Sequence, residues 1–519
     1  MRITKSEKFK NSIIYILSFL LICIYYIHYN TRISYIPIKQ IKERDKFSTF
    51  ISSKYSENNG TLHLEGYFEG GTFGKISVMD IKNLSFLSLW NKHSTILYQE
   101  RNEPMTVSKK ITGCPGFIPY PKVKMNKMDE INESEKKNLP DWVLFQQDRT
   151  VENVNCRRLF DNNTLEQNKT LNHMLKQPFA EITSSSYINI SKDCEKYKQD
   201  RGYITSSLTE EEENFPIAYS ILVFKGIQQV EMLLRSIYRP QNVYCIHCDT
   251  KADPNFKLAL QSITSCFENV FISSRSFNVV WGTVGVLLPE IACMKDLWKH
   301  KKWKYFINLT GQEFPLRTNL ELVKILKSYN GANDIESTVK RANKARWKNV
   351  LPPPHDIRPV KGSVHVAVTR GFVEYLLFDN IAKAFFNWTR SVKVPDEVFF
   401  STLNHNPQLN IPGSYKGVPE TDCDTKPFLT RFKNWGNHIY NWPCHGSRVR
   451  LVCVFGIGDL PLLASRPEMF ANKFYLHYQP YALQCMDQLI YNRTRDEYFN
   501  ALKFDVTKYQ SLEFIKHTV

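Results

Sequence analysis

From Phe215 to about Ser273, apolar runs alternate with helix-spaced segments, and this alternation restricts the fold more than any other feature of the chain. IAYSILVF reads as a buried strand, and VEMLLRSIY behind it carries apolar residues at helical spacing. NVYCIHC reads as a second strand ending in Asp249-Thr-Lys, PNFKLALQSITSCF as a second helix and NVFIS as a third strand. Strand, helix, strand, helix and strand in such close order predict an α/β domain with a mostly parallel central sheet covered by helices. In sheets of this kind ligands bind beyond the carboxyl ends of the strands, which puts Val223, Phe224 and Asp249 beside a nucleotide pocket.

The remaining length needs an account. The chain has 519 residues, enough for one long α/β domain with appendages. Apolar residues make up 42% and aromatic residues 13%, which excludes wholesale disorder. The net charge of +17 is scattered, and no nucleic-acid-binding motif accompanies it, so nucleic acid is not the expected partner. Between Lys10 and Arg32 no formally charged residue occurs, and the stretch NSIIYILSFLLICIYYIHYNT is apolar around its whole circumference. That is about the ~20 residues an α-helix needs to cross a bilayer. A cleaved signal peptide would exit through small residues, whereas this segment exits through Tyr-Ile-His-Tyr-Asn. A signal anchor at residues 12–29 is therefore expected, behind a tail of residues 1–11.

Basic residues flank this span on both sides and do not orient it. Sequons and cysteines do. Asn-X-Ser/Thr acceptors fall at Asn59, Asn83, Asn132, Asn162, Asn168, Asn189, Asn308, Asn387 and Asn492, all after the span. Asn308, inside the apolar run KYFINLT, is expected to be buried and unmodified. Eleven of the twelve cysteines also follow the span, and Cys245 and Cys248 form a lone CxxC without a partner pair. Disulfides in an oxidising lumen are the natural reading, with the N-terminus cytosolic. Residues 30–150 lack sustained periodicity and read as a lumenal stem with some local structure. Residues 151–519 read as the folded domain.

Several strings in that domain carry a resemblance: FPIAYSILVF, RSIYRPQNVYCIHCDTKAD, WKYFINLTGQEFPLRTN, VPDEVFFSTL, VRLVCVFGIGDL, FANKF and ALQCMD. From Phe215 onward, and weakly back to Cys156, the chain resembles the core-2/I-branching β-1,6-N-acetylglucosaminyltransferase family. The resemblance implies a GT-A-like, Rossmann-type nucleotide-sugar-binding domain in a type II Golgi membrane protein. It implies an inverting enzyme that moves N-acetylglucosamine from UDP to a 6-hydroxyl of a mucin-type O-glycan. It also implies the disulfides Cys156–Cys485, Cys194–Cys266, Cys245–Cys293 and Cys444–Cys453. Cys114, Cys248 and Cys423 are left over, and the first and last are free to pair.

Inverting transfer needs a base for the acceptor hydroxyl. By resemblance that base is Glu397 in VPDEVFF, while Asp396 beside it also reads as a helix N-cap. The leaving diphosphate needs positive charge, which the family supplies without a metal or other cofactor, through residues matching Arg450 and Lys473. The chain does contain a DxD, Asp422-Cys423-Asp424, but in the polar segment PETDCDTK rather than at a strand end. Donor contacts carry over to Leu222, Val223, Phe224, Asp249, Thr250, Lys251 and Trp281. Acceptor contacts carry over to Glu336, Arg346, Lys344 (displaced by one position) and Trp435, whose ring suits the apolar face of a sugar.

Two departures bear on substrate. Where vertebrate members read WSRVQAD, this chain reads Val284-Gly285-Val286-Leu287-Leu288-Pro289-Glu290, which loses a Ser-Arg pair near the donor sugar and leaves glucose open as an alternative. The family's acceptor-side Tyr two residues beyond Trp435 is Asn437 here. The expected partners are a UDP-sugar, an O-glycan acceptor on glycoproteins and membrane lipid, with homodimerisation left open. The alternatives are a peptide O-xylosyltransferase-like enzyme and a non-catalytic lumenal scaffold; retention of Glu397, Arg450 and Lys473 weighs against the scaffold.

Overall fold

The computed structural model describes residues 139–144, 151–423, 425–435 and 442–519, together with the backbone of three strands within residues 56–78. The expected anchor at residues 12–29 lies outside the described residues, as do Cys114, Asp424 and Asn437. Among the described residues no helix is long and apolar enough to cross a membrane. The chain divides into two compact units, Met1–Ser108 and Lys109–Val519. In the first, β1 (Ser56–Asn58), β2 (Thr61–Phe68) and β3 (Gly71–Val78) form an antiparallel sheet. These strands fall in the segment whose sequence shows no sustained periodicity.

The second unit is built on a six-stranded sheet in the order β6-β5-β4-β7-β10-β9. Its strands are β4 (Ile217–Val223), β5 (Val243–Cys248), β6 (Val270–Ile272), β7 (Tyr305–Thr310), β9 (Asp334–Thr338) and β10 (Lys361–Thr369). The first four are parallel, as the strand–helix alternation predicts, and β10 runs antiparallel to both β7 and β9. Mixed α/β with a mostly parallel sheet is the architecture, and it fits a GT-A-like fold. Helices α1 (Ile227–Ile237), α2 (Pro254–Thr264), α3 (Leu287–Trp298) and α4 (Asn319–Ser328) cover the sheet. Their ends are written in the sequence. Asp253 caps α2 from the position before Pro254, and Thr318 and Glu321 form a capping box on α4.

Both faces of the sheet are buried, which is why its strands read as continuous apolar runs. Tyr219, Ile221, Tyr244, Ile246, Ile307 and Leu309 pack on one side with α1 and α2, while Ala218, Val243, Cys245 and Phe306 pack on the other with α3. On that second face Glu290 is buried, receiving hydrogen bonds from Ser220 Oγ at 2.5 Å and Asn308 Nδ2 at 3.2 Å. Asn308 is 1% exposed and also bonded to the backbone of Val364 and Val366, so it has no room for a glycan.

A smaller sheet, β11-β14-β8, consists of β8 (Glu313–Pro315), β11 (Arg431–Phe432) and β14 (Phe470–Asn472), with β11 parallel to β14. Glu313, fully buried, fastens it to the central sheet. Its carboxylate meets Arg431 at 3.3 Å, His365 of β10 at 3.4 Å and Asn472 at 2.9 Å. The hairpin β12 (Ser447–Val449) and β13 (Val452–Val454) completes the strands. All four disulfides implied by the resemblance are formed. Cys156–Cys485 joins segments 329 residues apart, tying the start of the domain to the long helix Pro480–Tyr498. Cys248 is a free buried thiol, and Cys423 is half of a disulfide whose other half lies outside the described residues.

Candidate active site

The carboxyl ends of β4 and β5 carry Leu222, Val223 and Phe224, and Asp249, Thr250 and Lys251. The backbone N–H of Asp249 donates to Val223 O, which ties the two ends together. Asp249 is buried and accepts from Lys251 Nζ at 2.7 Å, Lys251 N at 2.8 Å and Val279 N at 3.2 Å. Burial alone would raise its pKa, but these donors hold it below the usual carboxylate range. Lys251 Nζ reaches on to Asn278 Oδ1 and Val279 O, and so fixes the segment that leads to Trp281. Phe224 is 45% exposed and Trp281 67%, an unusual exposure for large aromatic side chains.

Arg450 lies over the Trp281 ring, 5.4 Å from its centroid. Arg450 and Leu451 both have positive φ, at the tip of the β12–β13 hairpin whose base the Cys444–Cys453 disulfide closes. Lys473 follows β14 directly. Burial and then the charge of Arg450 push its ammonium below the usual lysine value, so the two cations share one locality. Among the described residues neither has a carboxylate partner.

Glu397 sits in a short 3₁₀ turn, Pro395–Glu397, between the segment ending at Val394 and α5 (Phe399–Asn404). Val394 takes the left-handed conformation, φ 55°, uncommon for a β-branched residue. Two backbone bonds hold this approach: Val394 N donates to Gly282 O, next to Trp281, and Lys393 N donates to Arg346 O. The turn is thereby stitched both to the segment that carries Trp281 and to the loop that carries Arg346. Arg346 Nη1 meets Glu397 Oε2 at 2.5 Å, with Lys361 Nζ at 3.6 Å. Burial raises the Glu397 pKa, yet Lys361, Arg346 and Lys433 outweigh it and keep the carboxyl below its ordinary value. Its side chain is 28% exposed.

Asp396 is different. It is 7% exposed, and burial followed by the neighbouring Glu397 charge raises its pKa to about 6. It caps no helix through its side chain, contrary to the N-cap reading; α5 begins three residues later, with no side-chain cap.

Glu336 on β9 faces Lys433, which follows β11, at 3.9 Å. Lys433 also lies 5.8 Å from the centroid of the half-buried Trp435. Gly362 on β10 permits the close approach of β10 to β9 at Glu336, because a Cβ there would sit 2.1 Å from Glu336 O. Lys344 is exposed and, among the described residues, forms no ion pair. The site therefore gathers Glu397, Arg346, Glu336 and Trp435 on one side and Phe224, Asp249, Lys251, Trp281, Arg450 and Lys473 on the other.

Lys361 and Lys433 escaped the sequence reading. Lys433 lies two residues before Trp435, and its two-residue spacing from buried Arg431 was the available signal. Asp422 of the DxD accepts from Thr425 N at 2.6 Å and Lys426 N at 3.4 Å, a local turn-capping role.

Comparison with known proteins identifies the family. The sequence model described as Core-2/I-Branching enzyme matches residues 217–463. A β-1,3-galactosyl-O-glycosyl-glycoprotein β-1,6-N-acetylglucosaminyltransferase of Bos taurus is 34% identical over 398 residues, 72% of this chain and 92% of that protein. A form 4 protein of the same name from Danio rerio is 35% identical over 364 residues, 65% of this chain and 84% of the relative. A Bovine herpesvirus 4 protein of that name is 33% identical over 339 residues, 61% and 77% respectively. The chain belongs to the core-2/I-branching enzyme family of glycosyltransferases.

Proposed function

We propose that this protein transfers N-acetylglucosamine from a UDP-sugar to the 6-hydroxyl of a β-1,3-galactosylated O-glycan on a glycoprotein, with inversion at the anomeric carbon. One observation carries the reading: a partly exposed carboxylate, Glu397, shares a site with two cations, Arg450 and Lys473, that have no carboxylate partner among the described residues. The names of the relatives supply the sugar and the acceptor.

Glu397 takes the proton of the acceptor hydroxyl as its oxygen forms the new bond to the anomeric carbon. The bond from that carbon to UDP breaks on the opposite face, and its electron pair leaves with the diphosphate. Arg450 and Lys473 stabilise that charge as it develops, Arg450 through bidentate contact and Lys473 as a point charge. No metal ion enters this scheme. The uridine lies against Leu222, Val223, Phe224, Asp249, Thr250, Lys251 and Trp281. Glu336, Arg346 and Trp435 orient the acceptor, with Lys344 at the outer rim.

The same reading has residues 12–29 anchoring the chain in the Golgi membrane, residues 30–150 as a stem and residues 151–519 as the lumenal catalytic domain. The deciding experiment offers the purified lumenal portion UDP-N-acetylglucosamine, UDP-glucose and UDP-xylose, each with Galβ1-3GalNAc. Transfer of N-acetylglucosamine through a 1,6 linkage is the expected result. Transfer of glucose alone would reassign the donor, and no transfer from any of the three would remove the reading.

A further inference from the structure

Lys433 lies within reach of both Glu336 and Trp435 on the acceptor side, and neither the sequence motifs nor the catalytic scheme above uses it. Its ammonium accepts nothing and has three N–H bonds to place. One goes to Ser363 Oγ on β10 at 3.1 Å. Glu336 Oε2 stands at 3.9 Å, the Trp435 ring centroid at 5.8 Å and the Phe428 ring centroid at 6.0 Å. The side chain is 15% exposed. A lysine confined in this way needs compensation, and Glu336 and Glu397 are the anions that supply it.

The backbone explains why the ammonium is there. β11 runs parallel to β14, so Lys433 leaves one strand at the same end at which Lys473 leaves its neighbour. Arg431, two residues earlier, is locked to Glu313 in the seam between the sheets. Lys433 is thus held from behind by a buried ion pair and from the side by Ser363.

On the catalytic reading given above, we propose that Lys433 is a positioning residue that sets the acceptor subsite, fixing the Glu336 carboxylate and the ring of Trp435 and adding positive charge beside Glu397. Glu336 without this partner would turn toward Lys361 or solvent, and the acceptor's hydroxyls would lose a fixed hydrogen-bond acceptor. Glu397 would lose one of the three cations that face it. Those cations are Arg346 from the loop after β9, Lys361 from β10 and Lys433 from the end of β11; the buried Asp396 adjoins it in its own turn. Lys433 itself faces Glu336 and Glu397, with Lys361 and Arg431 opposing it. Loss of a cation destabilises the ionised carboxylate, so the Glu397 pKa rises and the acid limb of the rate profile moves to higher pH.

The test compares Lys433→Met, Lys433→Arg and Ser363→Ala in steady-state transfer, varying acceptor, donor and pH. Lys433→Met is expected to raise the acceptor KM by ~10-fold or more, as for loss of a charged hydrogen-bond partner, with donor KM unchanged. The acid limb of its kcat should move up by roughly half a pH unit or more. Lys433→Arg keeps the charge and should keep the limb in place. Ser363→Ala, which frees the ammonium but leaves its charge, should raise acceptor KM without moving the limb. A Lys433→Met enzyme with parent acceptor KM and parent acid limb would overturn the proposal. Should Lys433→Met not fold, parental acceptor KM in Ser363→Ala together with a shifted limb in Lys433→Arg would do so. Absence of transfer by the parent enzyme would instead remove the function on which the proposal rests.

Discussion

The two sides of the site handle charge in opposite ways. On the donor side Asp249 and Lys251 pair with each other two residues apart, while Arg450 and Lys473 have no carboxylate partner among the described residues. On the acceptor side Arg346 and Lys361 surround Glu397, and Lys433 faces Glu336. One side therefore presents cations without a carboxylate partner, whereas on the other each of the three cations faces a carboxylate. A departing diphosphate needs the first arrangement. A neutral sugar, whose hydroxyls ask only for oriented donors and acceptors, suits the second. Ligand charge is thus readable from which ion pairs a site leaves incomplete.

Exchanging Glu397 for Gln tests the acceptor side most severely. The amide keeps the size and loses proton acceptance, so kcat should fall by roughly 10²- to 10⁴-fold while UDP affinity stays at the parent level. Parental turnover by a folded Glu397→Gln enzyme would undo the assignment of the base. On the donor side, Arg450→Gln or Lys473→Gln should slow transfer by ~10²-fold, about 3 kcal/mol of transition-state stabilisation, with thermal stability little changed. Activity of the parent should also survive EDTA. Its loss in chelator and return with manganese would mean that the two cations do not neutralise the diphosphate unaided.

Beneath both sides, burial lifts the Glu290 carboxyl to about 7, above an ordinary value of 4.5. A folded-state pKa raised in this way favours the folded protein below the unfolded value and is lost as pH rises through the folded one. Stability should therefore fall by on the order of 2 kcal/mol between pH 4.5 and 7, and Glu290→Gln should flatten that slope. Thermal melts of both proteins across that range measure it; parallel slopes would mean that Glu290 titrates normally. The smallest effect is expected at Asp396. Its carboxyl is buried, with a pKa near 6, so Asp396→Asn should leave kcat within about threefold of the parent. A drop as large as that of Glu397→Gln would give Asp396 a share in the proton transfer.

Local signals carried the donor half of the molecule. β4, β5 and β6 are apolar runs because both faces of a parallel sheet are buried, and their carboxyl ends followed from the alternation alone. The α2 and α4 boundaries were equally legible, since Asp253, Pro254, Thr318 and Glu321 act within one helical turn. Asn308 was readable as buried from the apolar residues around it.

The acceptor half was not legible in this way. Arg346 and Glu397 are 51 residues apart, and Lys433 and Ser363 are 70 apart. No periodicity spans such distances. Glu290 entered the sequence reading only as the end of a divergent string, yet it is a core carboxyl bonded to Ser220 and Asn308 across two strands. The partly exposed carboxylate and the buried one, Glu397 and Asp396, are adjacent in sequence and chemically similar. Only the left-handed turn at Val394, held by Gly282, decides which of them meets solvent. By itself the sequence determined the strand order's beginnings, the helix caps and the residue types available for chemistry, because those depend on neighbours within a few positions. The tertiary structure decided which charges meet, because long-range pairing is set by how β9, β10, β11 and β14 converge around Glu313 and Gly362.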